Sequence, residues 1–361
     1  MRILEIITPS RIGGAETNLV TIARGLTALN HEVTVFCPAG RPLIEHLIGR
    51  GITPVCWRTW GKADLRTLAG LYALIKSRRV DIVHTHLSTA SLLGGLAARL
   101  ARRPCMATVH GLGHAHWYRL ADKVIAVSET VKAHLVAQGV AAEKVDVIYD
   151  GIPLEDYQPM PVAAARGVCG FDPSIMRAGI FGRIAPEKGQ EIALRAWPRV
   201  MRRYPEAKLM LVGSGRSAGD LRRLAARLGI SGSVEFAGFV PDPRALMCAC
   251  DVIVVPSRIE GLGLAAIEAM ALERPVVVSD AGGLVEVVGH EETGLVFPRG
   301  EPQALSEAIV RVLADPELAR RLGKAGRRRV EERFDAARQV QLLQEAFLSE
   351  LGERAGSRAA G

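Results

Sequence analysis

Nowhere does this chain of 361 residues hold the roughly 18–20 uninterrupted apolar residues that a membrane-spanning helix requires; the nearest approach, Leu87–Leu100, is broken by Ser88, Thr89, Ser91 and Arg99. The first residues, Met-Arg-Ile-Leu-Glu-Ile-Ile-Thr-Pro, place Glu5 inside the apolar stretch and offer no small-residue cleavage site. They read as a first β-strand rather than a secretory signal, and the expected location is the cytoplasm. The six cysteines (37, 56, 105, 169, 248 and 250) include no C-x-x-C pair, which argues against a disulfide framework and a zinc ribbon. All six are expected to be small buried hydrophobes. The spacing G-x-x-x-x-G-K-[ST] is also missing, which disfavours a nucleotide hydrolase. No short-period repeat and no interleaving of aromatic with basic residues occur, so a base-stacking nucleic-acid binder is not expected.

What remains is an ordinary globular composition, 48% hydrophobic and 23% charged, at a length that favours two domains over one. The formal charge of +8 is uneven: residues 1–160 carry 18 basic against 13 acidic side chains, and the remainder 28 against 25. A basic first half suits an anionic surface or a phosphorylated substrate, or serves solubility alone.

Short β-branched runs alternate with helical periodicity. Strands are expected at Ile3–Ile7, Glu32–Cys37, Ile82–Thr85, Cys105–Val109, Lys123–Val127 and Val145–Ile148. Helices are expected between them at Thr17–Leu29, Leu65–Lys76, Ser88–Leu100 and Val131–Gln138. Residues 152–174, with Pro153, Pro159, Pro161 and Pro173, read as a linker. A second series follows, with strands at Ala178–Phe181, Lys208–Val212, Val234–Phe236, Val252–Val255, Val276–Ser279 and Gly294–Phe297. The last amphipathic helix, Ala336–Leu351, has no strand after it. The expected fold is α/β: two doubly wound parallel sheets facing each other across a cleft, with ligands at the carboxyl ends of the strands.

Four strand-to-helix turns carry chemistry. Residues 10–17, Ser-Arg-Ile-Gly-Gly-Ala-Glu-Thr, follow the first strand; Gly13 and Gly14 allow close backbone approach, and a helix start offers N–H groups to an anion. Phe181-Gly182-Arg183-Ile184-Ala185-Pro186-Glu187-Lys188-Gly189 sets two cations at the mouth of the second sheet, a fork and a point charge suited to a diphosphate. Pro256-Ser257-Arg258-Ile259-Glu260-Gly261-Leu262-Gly263-Leu264 leads into a helix carrying Glu268, and carboxylates suit sugar and ribose hydroxyls. Asp280-Ala281-Gly282-Gly283-Leu284-Val285-Glu286 repeats the pattern as a further anion cradle. Histidines gather at 84, 86, 110, 114 and 116. With no acidic partner at ligand spacing a metal site is not assigned, and His110 is expected as a polar group at a strand end.

Together these motifs resemble the family 4 retaining glycosyltransferases, of the two-Rossmann-domain GT-B type. The resemblance rests on Pro-Ser-x-x-Glu-Gly-x-Gly-Leu with its glutamates at 260 and 268, on Gly-Arg-x-x-x-x-Lys-Gly at 182–189, and on Gly-Gly-Ala-Glu at 13–16. Asp81–His86 and Gly282-Gly283 with Glu286 complete it, in the family's order over nearly the whole chain. It implies an N-terminal acceptor-binding domain over residues 1–160, a nucleotide-sugar-binding domain over 170–335, and a final helix, about 336–351, returning to the first. By the same resemblance Arg183 and Lys188 hold the donor diphosphate, Glu268 the ribose and Glu260 the donor sugar. Gly13, Gly14, Gly261, Gly263 and Leu264 line the donor, and His110, Glu260, Arg183 and Lys188 form the catalytic set. No cofactor and no metal are implied, the nucleotide-sugar (a UDP-sugar by preference) being a substrate. The acceptor is a glycan or lipid-linked molecule in polysaccharide, lipopolysaccharide or glycolipid synthesis, with peripheral contact to an anionic membrane allowed. One departure is Tyr149-Asp150-Gly151, where the family usually has Asn-Gly.

Two other readings compete. Val212-Gly213-Ser214-Gly215 with Gly219, and Glu235 twenty residues beyond Gly215, imitates a dinucleotide-binding oxidoreductase, with one residue too many before the third glycine. Basic runs at 76–79, 102–103 and 327–329 allow a non-catalytic surface binder, although they read mostly as solvated helix ends.

Overall fold

The computed structural model describes residues 1–8, 13–40 and 42–359 and divides the chain into two compact units, Met1–Ile152 with Asp335–Gly361, and Pro153–Phe334. In the first unit the strands are β1 (Arg2–Ile7), β2 (Glu32–Pro38), β3 (Val55–Trp57), β4 (Ile82–His86), β5 (Cys105–Val109), β6 (Lys123–Ala126) and β7 (Val145–Val147). All pair in parallel, in the order β3-β2-β1-β4-β5-β6-β7. The second unit holds β8 (Arg177–Phe181), β9 (Lys208–Val212), β10 (Val234–Gly238), β11 (Val252–Val255), β12 (Val276–Ser279) and β13 (Leu295–Phe297), parallel in the order β10-β9-β8-β11-β12-β13. Each is a doubly wound sheet whose strand order reverses once, at β1/β4 and at β8/β11. At such a point consecutive connections leave on opposite faces, so the loops there diverge and open a crevice at the strands' carboxyl ends.

The strands form because their β-branched residues are buried on both faces: Val252–Val255 and Val276–Ser279 are buried throughout. The helix Gln190–Arg203 lays Ile192, Leu194, Trp197 and Val200 into the second core, with Leu209, Leu211, Val254 and Val277. In the first unit the last helix, Ala336–Ala359, buries Val340, Leu343 and Phe347 against Ile3, Ile22, Leu26, Ile82 and Met106. Gly25 makes that docking close, because a Cβ there would lie 2.4 Å from Val340 Cγ2. The leftover helix of the sequence thus completes the first unit, as expected.

Some elements depart from the sequence reading. The proline-rich stretch expected as a linker is folded: the division falls between Ile152 and Pro153, and Val162–Cys169 is a helix. Arg166 of that helix fixes it, donating to the Ala249 carbonyl at 3.2 Å and to Asp251 at 2.5 Å. Prolines at its two ends masked the short helical pattern. Strand β3 is a further departure, being only three residues long; its Trp57 packs on Phe36 at 4.2 Å and donates to Thr67 at 3.2 Å. Its neighbour Cys56 is exposed and Cys169 partly so, whereas the other four cysteines are buried. An edge strand has an outward face, which the cysteine count could not show. No helix among the described residues is long and apolar enough to cross a membrane.

Candidate active site

In the second unit, strands β8 and β11 lie side by side, so the turns that leave them meet at the reversal point. After β8 the chain passes Gly182 and a short 3-10 turn, Pro186–Lys188, to the helix Gln190–Arg203. Gly189 adopts φ +65°, and a Cβ on it would lie 2.0 Å from the Pro256 carbonyl oxygen; only glycine lets the two turns approach this closely. The amides of Arg258 and Ile259 donate to the Glu187 carbonyl at 2.8 and 3.2 Å, locking the turns together.

This clamp presents Lys188 to Glu260. The ammonium donates to both carboxylate oxygens, at 2.8 and 2.7 Å, and the buried Ser257 hydroxyl adds a third bond to Oε2 at 2.8 Å. Ser257 is held in turn, its carbonyl accepting from Ser279 at 2.6 Å. Lys188 is 29% and Glu260 11% exposed, so the pair opens to solvent on one side. An ammonium has three donors and Glu260 takes two, so one remains for a ligand. Arg183, expected beside Lys188, turns instead to Glu187 at 2.6 Å and is 51% exposed. The fork is therefore at the surface, held by a weak i,i+4 pair that an anion can displace.

Gly261, Gly263 and Leu264 form the entry to the helix Leu264–Ala271, with Gly263 at φ +106°. In the Asp280–Gly283 turn, read as a further anion cradle, the Gly283 amide is engaged within the chain, donating to the Glu260 carbonyl at 3.2 Å. A Cβ on Gly282 would come 2.0 Å from that same oxygen. Those glycines hold the Glu260 turn in place, a partner that lies 22 and 23 residues away and leaves no trace in the local pattern.

Glu268 sits four residues into its helix and accepts a hydrogen bond from the Tyr157 hydroxyl at 3.1 Å. Burial pushes its carboxyl up to about 7, against the opposing pull of the Tyr157 bond and Arg244. Tyr157 lies in the stretch taken for a linker, so sequence reasoning missed it; Arg327 fixes it by donating to its carbonyl at 2.5 Å and to that of Ala271 at 2.6 Å. Arg329 likewise donates to the carbonyls of Val287 and Glu286, at 2.7 and 2.9 Å. Two arginines of the 327–329 run are thus structural rather than solvated helix ends.

The glycines of the dinucleotide fingerprint serve the packing of the chain itself. A Cβ on Gly213 would lie 1.9 Å from the Gly182 carbonyl oxygen, and one on Gly215 1.9 Å from that of Ile184. The chain's own backbone occupies the close approach that a pyrophosphate would need. Glu235 sits near the start of β10, bonded to Arg177 at 2.7 Å, away from the carboxyl ends.

In the first unit, residues 10–12 of the Gly-Gly motif lie outside the described residues. Gly13 precedes the helix Gly14–Ala28, and its amide donates to the Glu16 carboxylate at 2.7 Å. The N–H expected for an anion is therefore engaged by the chain's own acid in a capping arrangement.

The histidines at the carboxyl ends of β4 and β5 form a buried network. Glu5 pairs with His84 across β1 and β4, and its Oε2 faces His84 Nδ1 and His86 Nε2, each at 2.9 Å. His84 Nε2 meets the Thr108 hydroxyl at 2.7 Å. His86 Nδ1 meets His110 Nε2 at 3.1 Å, and His110 Nδ1 meets Asp150 at 3.2 Å. The histidines thus do have an acidic partner, contrary to the sequence reading: Glu5 lies on the neighbouring strand, where spacing along the chain cannot reveal it. Burial pushes the Glu5 carboxyl up, but the charge and hydrogen bonds of His84 and His86 outweigh it and hold the group well below the usual range. Burial, reinforced by His84, holds His86 neutral despite Glu5. Elsewhere in this unit, residues 57–64 and 111–119 meet where the Lys62 ammonium stands 3.0 Å over the Trp117 ring; Trp60 is exposed.

Comparison with known proteins agrees with the motifs. Residues 12–156 match the model described as Glycosyltransferase Family 4, and residues 177–329 that described as Glycosyl transferases group 1. The chain is 29% identical to a D-inositol 3-phosphate glycosyltransferase of Thermobispora bispora, over 93% of this chain and 90% of that one. It is also 29% identical to a GDP-mannose-dependent alpha-(1-6)-phosphatidylinositol monomannoside mannosyltransferase of Mycolicibacterium smegmatis, over 88% and 90%. Among solved structures, Anabaena HepE in complex with UDP and glucose superposes with a TM-score of 0.86 at 27% identity, covering 97% of this chain and 100% of that one. Two doubly wound units, the paired glutamate motif and these likenesses lead to one conclusion: the chain is an enzyme of the glycosyltransferase type, a member of glycosyltransferase family 4 with the GT-B fold.

Proposed function

We propose that the enzyme moves a sugar from a nucleoside-diphosphate-sugar to a glycan or lipid-linked acceptor, with side-chain cations taking the diphosphate charge. The observation that carries this reading is the Lys188–Glu260 pair at the strand-order reversal of the second unit. Breaking the anomeric C–O bond expels the diphosphate, and negative charge grows on its oxygens. Lys188 has a donor to give, and Arg183, on the surface four residues from its present partner, can exchange Glu187 for phosphate. Glu260, released from part of its hold on Lys188, is then free to accept sugar hydroxyls. Glu268 accepts the ribose hydroxyls, a role its Tyr157 bond prepares by fixing the carboxyl. Gly261, Gly263 and Leu264 contribute backbone beside the donor.

A UDP-sugar is favoured because HepE is seen with UDP and glucose, whereas the M. smegmatis relative is named for GDP-mannose. Retention at the anomeric carbon follows from the family resemblance. Synthesis of a surface polysaccharide, lipopolysaccharide or glycolipid, beside an anionic membrane face, suits the basic first 160 residues.

The test is Arg183→Ala with Lys188→Ala, titrated with UDP and GDP by calorimetry in EDTA. Charge-assisted bonds are each worth roughly 1.5–3 kcal/mol, so nucleoside diphosphate affinity should fall at least tenfold. Unchanged affinity overturns the assignment. Glu260→Gln should impair transfer more than nucleotide binding.

A further inference from the structure

We infer that Glu5, His84 and His86 form the binding site of one divalent transition-metal ion, zinc by preference, which ties β1 to β4 beneath the crevice of the first unit. Strand register builds the cluster. Glu5 pairs with His84 across the two strands, and His86, two residues further on, leaves the same face of the sheet. Glu5 Oε2 stands 2.9 Å from His84 Nδ1 and 2.9 Å from His86 Nε2. Each of the three residues has a ligand atom within 4.8 Å of the other two, and all three side chains are wholly buried.

An independent observation points to a cation. Glu5 Oε1 is buried with no hydrogen-bond partner among the described residues. A bare carboxylate oxygen in the interior is costly, and a cation held by both oxygens satisfies it. The donor set selects the kind of cation. Two imidazoles and one carboxylate suit a transition metal, whereas calcium and magnesium take oxygen shells. With Glu5 bidentate the shell closes at four without water, the coordination of a structural zinc site.

The rings are also held from behind, as ligating imidazoles are. His84 Nε2 meets the Thr108 hydroxyl at 2.7 Å, and His86 Nδ1 meets His110 Nε2 at 3.1 Å. Once the inner nitrogens carry the ion, every remaining N–H points outward: that of His84 to Thr108, that of His86 to His110, and that of His110 to Asp150 at 3.2 Å. From the last helix, Phe347 packs edge-on against His84 at 5.3 Å. Because the site is buried, the ion enters as the chain folds, and its affinity adds to the stability of the first unit. The cations proposed for the diphosphate belong to the second unit, so this inference stands apart from the transferase reading.

The experiment counts zinc per chain by plasma mass spectrometry on the full chain, as purified and after refolding from urea with zinc added or omitted, each time after dialysis against EDTA. One zinc per chain is expected, released only on unfolding, with a higher urea midpoint in its presence. Cobalt added at refolding should give the visible absorption of a four-coordinate ion. Anomalous scattering at the zinc edge should place the ion between His84 and His86. Glu5→Gln and His86→Gln should each abolish retention, whereas the exposed pair His114→Ala with His116→Ala should keep it. Thr108→Val leaves the three ligands in place and should lower zinc affinity about 10–100-fold. No retained zinc, a urea midpoint indifferent to zinc, an anomalous peak elsewhere, or full retention in Glu5→Gln overturns the inference. The first three need only the wild type, so a variant that fails to fold leaves the test intact.

Discussion

The two units share one topology and use its reversal point in opposite ways. Below the crevice of the first unit, Glu5, His84 and His86 are wholly buried, with both rings meeting Glu5 Oε2 and Glu5 Oε1 left without a hydrogen-bond partner among the described residues. In the second unit, Lys188 and Glu260 meet in a half-open setting where solvent or a ligand can compete. Burial decides the difference. A buried polar group costs free energy when left unpaired, so most contacts of such a network are made within the protein and hold its members in place. A partly open ion pair is less committed: its ammonium keeps a donor that solvent or a ligand can take. The first arrangement suits fixed charge, and the second suits catching a charged ligand.

That contrast can be sharpened from its largest expected effect downward. Phe347→Ala empties the site under the last helix and should destabilise the first unit by about 3–5 kcal/mol, read by urea unfolding with a probe in each unit. A single coincident shift of both transitions would show that the units are not energetically separable. Gly189→Ala forces a side chain into a φ of +65° and against the Pro256 carbonyl. It should cost the second unit about 1–3 kcal/mol of stability and lower nucleotide affinity as the clamp loosens; a neutral result would break the account of that turn.

The Glu268 carboxyl, raised to about 7 from an ordinary 4.5, makes a signed prediction. The folded state binds the proton more tightly, so stability is greatest below the unfolded value and declines as pH rises through the window between the two. The loss should be about 1–3 kcal/mol, and Glu268→Gln should flatten it in melts from pH 4 to 8. Unaltered pH dependence in the variant would place the titration elsewhere. The smallest effect belongs to Arg183→Ala, which should change stability by less than about 0.5 kcal/mol although it weakens nucleotide binding.

Much of this was readable from the chain alone. Alternation of β-branched runs with helical periodicity located both sheets, because a parallel strand buried on both faces must be apolar throughout. Val55–Trp57 and Val162–Cys169 escaped because a three-residue strand and a proline-bounded helix carry too little period to register. The turn residues 182–189 and 256–264 stood out because tight turns and helix starts demand glycine and proline at fixed offsets. Their side chains' partners did not. Arg183 was expected beside Lys188 on proximity in sequence, and the 3-10 turn between them directs it to Glu187 instead.

By itself, then, the sequence determined the fold class, the family and the loops that bear the chemistry, since these depend on local periodicity and on motif spacing. Tertiary structure alone decided who meets whom. Glu5 finds His84 across 79 residues, Lys188 finds Glu260 across 72, and Tyr157 finds Glu268 across 111. Strand order sets the first two meetings, and folding of the supposed linker sets the third. A hydrogen bond needs atoms about 3 Å apart, and only the packed sheets bring such distant residues to that range.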